Sequence, residues 1–262
     1  MASITSSLST ENITNFRDVA KLTNASNTPN QPTLNPGLFY RSALPSTASP
    51  SARENLSKIY HIKTILDLRT DTELSEQEKQ QQPQPKTTKH AKTPSTSSLS
   101  SLSPLPSGTP APPKTTRISL NGPSYSLALI KQLPYHLALK LACLYALPSY
   151  RTSAISILGK NVMTARGLSG LAIDTLTHST SEIAQVFTFL SDAANYPVLV
   201  HCTQGKDRTG LVVLLVCLLC GVGAEAVDRD YMVSGEELAP EREERVREIA
   251  KIGLPAEFAG CE

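Results

Sequence analysis

The sequence predicts an α/β fold: a central sheet flanked by helices, with an anion-binding loop between one strand and the helix that follows it. Three observations predict it. The apolar run Tyr196-Pro197-Val198-Leu199-Val200 reads as a buried strand, and Leu211-Val212-Val213-Leu214-Leu215-Val216 reads as a buried helix. The connection between them, His201 to Gly210, carries glycines at 205 and 210 and is too short for anything but a tight loop. Further upstream, Ile62 to Leu68 is β-branched and apolar, and segments of helical periodicity lie between the two strands, which is the alternation of an α/β fold.

In chain order, residues 1–12 read as a loose, flexible N-terminus without the apolar stretch of a signal peptide. Asn15 to Val19 opens the ordered part. Leu38-Phe39-Tyr40 follows the turn signal Pro36-Gly37 and reads as a short strand. Ala52 to Tyr60 reads as a helix. After the Ile62–Leu68 strand, Thr70 and Glu73 have the spacing of a capping box, which opens a helix. From 76 to 117 the chain turns low in complexity, with glutamines at 80 to 82 and eight prolines between 83 and 113. Such a segment buries too little apolar surface to offset its ordering entropy, so a disordered insert is expected there. The domain organisation is then one domain over 13–262, interrupted at 76–117.

Ser126 to Leu147 reads as two helical pieces broken at Pro134, and Ile155 to Leu171 as helical or mixed. Ser181 to Ala194 has helical periodicity and leads into the strand at 196–200. Ala224 to Val233 reads as a short helix. Glu241 to Ile252 alternates Glu and Arg and reads as a solvated helix helped by i,i+4 pairs.

Composition bounds the function. No Asp or Glu occurs from Lys79 to Ile173, while eleven Lys or Arg do, although the whole chain carries only +2. A block of one sign favours anionic partners, such as phosphorylated substrates or an acidic membrane surface; the plainer reading is a solvated insert. Nucleic acid is not among the expected partners, and the sequence leaves the oligomeric state open. The longest apolar run, Leu211 to Val222, is too short for a transmembrane segment and reads as a core helix. The cysteines at 143, 202, 217, 220 and 261 fit neither a disulfide framework nor a zinc site. Cys217 and Cys220 read as small buried hydrophobes on one helical face. The histidines at 61, 90, 136, 178 and 201 lack ligand spacing, so neither metal nor other cofactor is expected.

The chemistry is concentrated in His201-Cys202-Thr203-Gln204-Gly205-Lys206-Asp207-Arg208-Thr209-Gly210. A strand, a tight loop and a helix N-terminus together make an anion pocket, with loop N–H groups pointing inward. A cysteine there is expected as a thiolate and, facing a bound phosphate, as a nucleophile. Arg208 supplies a planar fork able to bind two phosphate oxygens. Thr203, Gln204, Gly205, Lys206 and Thr209 are the expected substrate-binding residues: Gly205 lets the backbone approach the phosphate, Lys206 adds a cation at the rim, and the Thr209 hydroxyl supports the thiolate. His201 is expected to orient the loop by hydrogen bonds. A thiol nucleophile needs a reducing compartment, so the cytoplasm, or the nucleus, is the expected location.

These residues resemble the signature of the cysteine-dependent tyrosine and dual-specificity phosphatases, His-Cys-five residues-Arg-Ser/Thr. The form Gly-Lys-Asp-Arg-Thr-Gly is similar to that of a subgroup with Lys-Asp in the loop, and also to lipid phosphatases of the myotubularin type. Asn15-Phe16-Arg17-Asp18-Val19, Leu38-Phe39-Tyr40-Arg41-Ser42-Ala43 and Leu66-Asp67-Leu68-Arg69 fit the subgroup in the expected order, so the resemblance covers residues 13–75 and 185–240. It implies phosphate monoester hydrolysis through a cysteinyl-phosphate, on a phosphorylated protein with phosphotyrosine first and dual specificity open. A phosphoinositide substrate is the near alternative, and a catalytically silent phospho-binding module or a rhodanese is the more distant one.

The reaction also needs a general acid. Relatives often carry an Asp on a mobile loop beside tryptophan, and this chain has no Trp. Three carboxylates remain as candidates. Asp207 sits in the loop, where the resemblance to Asp-Arg-Thr loops places the acid. Asp174 lies 28 residues before Cys202. Asp67 stands at a strand end, where it serves equally as a structural partner of Arg41 or Arg69. Asp207 is the first choice.

Overall fold

Four short segments form the parallel part of a five-stranded sheet; the three inner ones are buried and pack against two separate cores, and the fourth is a polar edge. The computed structural model of the chain describes residues 13–26, 31–81, 111–147 and 150–251. In chain order the elements are β1 (Arg17–Asp18), α1 (Val19–Ser26), β2 (Phe39–Ser42), α2 (Pro50–Lys58), β3 (Thr64–Asp67), α3 (Asp71–Gln81), β4 (Lys114–Arg117), α4 (Pro123–Lys131), α5 (Tyr135–Tyr145), α6 (Arg151–Leu158), α7 (Thr164–His178), α8 (Thr180–Ser191), β5 (Val198–His201), α9 (Asp207–Leu219), α10 (Ala224–Leu238) and α11 (Arg242–Lys251). The strand order is β1-β2-β5-β3-β4, with β1 antiparallel to β2 and every other pair parallel. The α/β class and the helix-flanked sheet expected from the sequence are therefore present.

Period-2 alternation sorts the sheet residues. Phe39, Leu66, Val198 and Val200 face one side, where Val186 and Leu190 of α8, Val212 and Val213 of α9 and Ala226 of α10 cover them. Tyr40 and Leu199 face the other side and pack with Phe16, Ala52, Leu56 and Ile62. Phe16, Tyr40 and Tyr60 form an aromatic cluster there, with centroids 4.7 to 5.6 Å apart. A third cluster, Tyr125, Leu129, Leu133, Leu141, Ala154 and Val162, belongs to α4–α7 and is separate from the sheet.

Pro134 separates α4 from α5 as its missing N–H and fixed φ require. The stretch expected to be helical or mixed is α6, a single π-turn over Gly159–Met163, and α7, which kinks at Gly167 with φ 63°. The capping box is made as the spacing predicts: Thr70 N donates to Glu73 Oε2 at 2.9 Å and Glu73 N to Thr70 Oγ1 at 3.4 Å.

Several expectations need correction. The boundaries 76–117 for the insert fail at both ends. Helix α3 continues to Gln81, because Glu, Gln and Lys are good helix formers even without an apolar face. Strand β4 begins at Lys114; it is an edge strand whose polar Lys-Thr-Thr-Arg pattern concealed it. The insert's middle, 82–110, and the terminus, 1–12, lie outside the described residues. Helix α1 was not foreseen, and α10 runs to Leu238 rather than Val233. Cys217 is buried in the main core, where burial pushes its thiol up to about 12. Cys220 is exposed at the C-terminal cap of α9, so the two do not share a buried face. Cys261 lies outside the described residues.

Candidate active site

The loop from Cys202 to Lys206 leaves the C-terminal end of β5, at the sheet centre, and enters α9 at Asp207. Its shape follows from where its carbonyls go. Cys202 O accepts from His201 Nδ1 at 3.0 Å, Thr203 O from Leu44 N at 3.1 Å, and Gln204 O from Asn15 Nδ2 at 3.0 Å. Gly205 O accepts from Arg41 Nη2 at 2.6 Å, and Lys206 O from Gly210 N at 2.7 Å. Each carbonyl thus has a partner, and three of them, on Thr203, Gln204 and Gly205, are held by the N-terminal segment, β2 and the turn after it. In a planar trans peptide the N–H points opposite to the carbonyl, so the amides after Cys202 turn toward the loop's inner side. Among the described residues, none of the N–H groups of Thr203, Gln204 and Gly205 donates to a protein acceptor. They are available to an anion.

The N-terminal segment builds this scaffold. Asn15 adopts φ 59° and is wholly buried, which lets its side chain reach the loop. Arg17 donates to Asn15 Oδ1 and, through Nε at 2.8 Å, to Asp230 of α10. Arg41, wholly buried on β2, pairs with the same Asp230 while holding Gly205 O. Burial raises the Asp230 carboxyl, but the two arginines more than offset this and hold it below its usual range. Burial, with repulsion from Arg41, lowers Arg17 to about 10. No local sequence pattern signals this ion cluster, although Arg17 and Arg41 lie inside the two upstream motifs Asn15–Val19 and Leu38–Ala43.

Gly205 has φ +66°, and a Cβ there would lie 2.0 Å from Ser42 O. The glycine is required by contact with β2 rather than by approach to a phosphate alone. At Gly210 a Cβ would meet the Tyr231 ring at 3.2 Å, so helix α10 packs closely on α9.

Cys202, Thr203, Gln204, Asp207 and Arg208 line one cavity of about 2390 Å³. Cys202 is 3% exposed, and its charge is among those acting on Arg208. Arg208 is gripped by a residue the sequence placed only in a helix cap. Its Nη1 and Nη2 donate to Glu73 Oε2 and Oε1, both at 2.6 Å, and Nη1 also lies 3.5 Å from Leu68 O. Its Nε donates to no acceptor among the described residues. Burial would lower the Arg208 guanidinium, but the Glu73 bonds and the charges of Cys202, Glu73 and Asp207 raise it. Burial likewise raises Glu73, but Arg208, Thr203 and the Thr70 amide push it down to about 2. The Thr203 hydroxyl donates to Glu73 Oε1 at 2.5 Å.

The other expected residues divide. Asp207 opens α9 with its side chain 48% exposed in the cavity, 3.6 Å from Lys206 Nζ. Lys206 is wholly buried and does not line the cavity, so the expected rim cation is instead a cation turned inward beneath Asp207. Thr209 is also wholly buried, and its Oγ1 has no hydrogen-bond partner among the described residues. The expected bond from Thr209 to the sulfur is not made.

Asp67 is occupied by Arg69, which donates to it through Nε at 3.0 Å and Nη2 at 2.7 Å. Burial opposes, but the Arg69 bonds and His201 hold its carboxyl low. His201 Nε2 stands 3.9 Å from Asp67, beyond hydrogen-bond distance, and burial holds the imidazole below its usual range. Its contact with Cys202 O is the orienting one expected. Asp174 lies on α7, bonded by Arg166 at 2.5 and 2.8 Å, and does not line the cavity. Of the three carboxylates weighed, only Asp207 reaches the cavity.

A family model described as the tyrosine phosphatase family matches residues 8–256. The triple specificity protein phosphatase PtpB of Mycobacterium tuberculosis is 39% identical over 67 residues, 26% of this chain and 24% of that protein. A tyrosine-protein phosphatase of Nostoc commune is 38% identical over 63 residues, 24% of this chain and 21% of that protein. The matched stretch therefore spans under a quarter of the length of these curated relatives.

Proposed function

The chain belongs to the tyrosine phosphatase family, and we propose that it hydrolyses phosphate monoesters, phosphotyrosine in proteins first, through a cysteinyl-phosphate on Cys202. The observation that carries this reading is that Cys202, Arg208 and Asp207 line one cavity beside a loop whose carbonyls are all hydrogen-bonded within the protein. The apolar walls of that cavity, including Tyr125, Leu129 and Leu214, suit an aromatic ester better than a bare serine side chain. Dual specificity and hydrolysis of phosphoinositides are the alternatives that the substrate comparison below separates.

In the proposed reaction the phosphoryl group sits on the loop amides with two oxygens against Arg208. The Cys202 thiolate attacks phosphorus; the S–P bond forms as the ester P–O bond breaks, and the leaving oxygen takes the proton of Asp207. In the second step Asp207, now a carboxylate, accepts a proton from water as its oxygen attacks phosphorus. The S–P bond breaks, releasing inorganic phosphate and restoring the thiolate. Arg208 and the amides hold more tightly as charge builds on the equatorial oxygens, which makes their binding catalytic. Glu73 fixes the Arg208 plane, so no reorientation is needed at that moment.

The test compares a phosphotyrosine peptide, a phosphoserine peptide and phosphoinositide vesicles as substrates of wild type and Cys202→Ser. Turnover of the phosphotyrosine peptide that disappears in C202S is expected. Equal turnover by C202S would refute the thiol route, and exclusive turnover of the lipid would reassign the substrate.

A further inference from the structure

Helices α4 to α7 carry apolar surface that their own small core does not use. Of the thirteen large hydrophobic side chains exposed on the described residues, eight lie between 123 and 178. Tyr135 and Leu139 are 84% and 55% exposed and lie one turn apart on the outer face of α5. The inner face of the same helix places Leu141 in the α4–α7 core. A helix apolar on both faces is stable only if something covers the second face.

The charge around this face identifies the cover. From Lys79 to Ile173 there is no carboxylate, and Lys131, Lys140 and Lys160 are exposed with no ion-pair partner among the described residues. Lys140 follows Leu139 directly, and Lys131 lies one turn after the exposed Leu127 on α4. Protein–protein interface cores are depleted in lysine. Helices lying in a membrane interface have the opposite composition, with leucine and aromatic rings on one side and lysines whose stems snorkel to the headgroups. We propose that the α4–α7 layer docks onto an anionic phospholipid bilayer. Leu129, Leu141, Leu158 and Leu171 of this layer also line the cavity that holds Cys202 and Arg208. Docking sets the catalytic opening beside the lipid surface, where phosphorylated membrane-bound substrates are concentrated. No span is involved, since no helix among the described residues is long and apolar enough to cross a membrane.

Sedimentation of the full chain with vesicles tests this, using phosphatidylserine in phosphatidylcholine against phosphatidylcholine alone. Binding to the anionic vesicles, weakened by salt, is expected. At about 1 kcal/mol per lysine near the surface, Lys131→Glu with Lys140→Glu reduces binding roughly tenfold or more. Leu139→Glu reduces it through lost apolar insertion. These side chains are exposed and outside the cavity, so hydrolysis of a small soluble aryl phosphate by the variants reports that they are folded. Binding needs no turnover, so Cys202→Ser sediments as wild type does, and loss of the proposed chemistry leaves this result standing. No binding of wild type to anionic vesicles, or equal binding to neutral ones, overturns the proposal. So does unchanged binding of the three variants while Lys86→Gln, Lys89→Gln and Lys92→Gln together abolish it, which assigns the contact to the segment at 82–110. A wild-type dimer that Leu139→Glu dissociates, without vesicle binding, assigns the face to a second copy of the chain.

Discussion

Glu73 accepts from both terminal nitrogens of Arg208, at 2.6 Å each, and so fixes the plane of the guanidinium that faces the loop. The same carboxylate accepts from the Thr203 hydroxyl and from the Thr70 amide, so the first turn of α3 is tied to both ends of the loop. Glu73→Gln keeps the shape and removes the charge. Hydrogen bonds to charged groups contribute about 1.5 to 3 kcal/mol, so kcat/KM on an aryl phosphate falls roughly 10- to 100-fold. Steady-state kinetics check this; an unchanged kcat/KM would show that Arg208 orients itself without Glu73.

The same pair sets an acid limit on stability. The Glu73 carboxyl falls from 4.5 to about 2 in the folded chain. Its folded value is the lower one, so its contribution is complete above 4.5 and is lost as pH falls from 4.5 toward 2. Urea midpoints are expected to decline gently below pH 6.5, where burial keeps His201 neutral while the unfolded chain protonates it, and more steeply below 4.5. Asp67 and Asp230, also held low, add to the decline. Glu73→Gln reduces the slope between pH 4.5 and 3; an identical slope in the variant would remove Glu73 from this account.

Asp207 is the carboxylate that both opens α9 and lines the cavity. Loss of a general acid costs about 10²- to 10⁴-fold, so Asp207→Asn lowers kcat by that amount on esters with poor leaving groups. The loss shrinks for nitrophenyl phosphate, whose leaving oxygen needs little protonation. Asp174 is buried against Arg166 and does not line the cavity, so Asp174→Asn leaves kcat within about twofold, well short of the loss of a general acid. Collapse of D174N with full turnover by D207N would reverse the assignment.

Asp230 is shared by two buried arginines, one of which holds the Gly205 carbonyl. Removing one partner of a buried ion pair costs about 3 to 5 kcal/mol, so Asp230→Asn lowers stability by that order in urea unfolding. Arg41→Met frees the Gly205 carbonyl while keeping much of the side-chain volume. Vanadate binding to the loop is expected to weaken at least tenfold in that variant, and undiminished binding would show that the loop keeps its shape without Arg41.

Gly205→Ala places a Cβ 2.0 Å from a backbone oxygen at a residue of φ +66°. The loop must shift, because the obstacle is strand backbone rather than the end of a flexible side chain. Activity loss of 10²-fold or more is expected, since small misplacements of catalytic groups cost about that much. Comparing oxyanion binding with far-ultraviolet circular dichroism separates a displaced loop from an unfolded chain.

The strand Val198–His201, the helix after Asp207 and the loop between them were legible because their signals are local. An apolar run, a glycine and a second apolar run fix the backbone path, and the positions of Cys202 and Arg208 on it follow. The same locality made the Thr70–Glu73 cap readable from its spacing alone. The edge strand β4 was not readable, because an edge needs no apolar alternation and Lys-Thr-Thr-Arg has none.

The sequence by itself determined the α/β class and the cysteine, glycine and arginine of the loop, since each depends on residues within a few positions. Only the tertiary structure decided which charges meet. Glu73 reaches Arg208 across 135 residues, Asp230 reaches Arg41 across 189, and Lys206 turns inward while Asp207 stays in the cavity. Ion pairs form between whichever side chains the crossing of elements brings within a few ångströms at the C-terminal edge of the sheet. No pattern of neighbouring residues encodes that meeting.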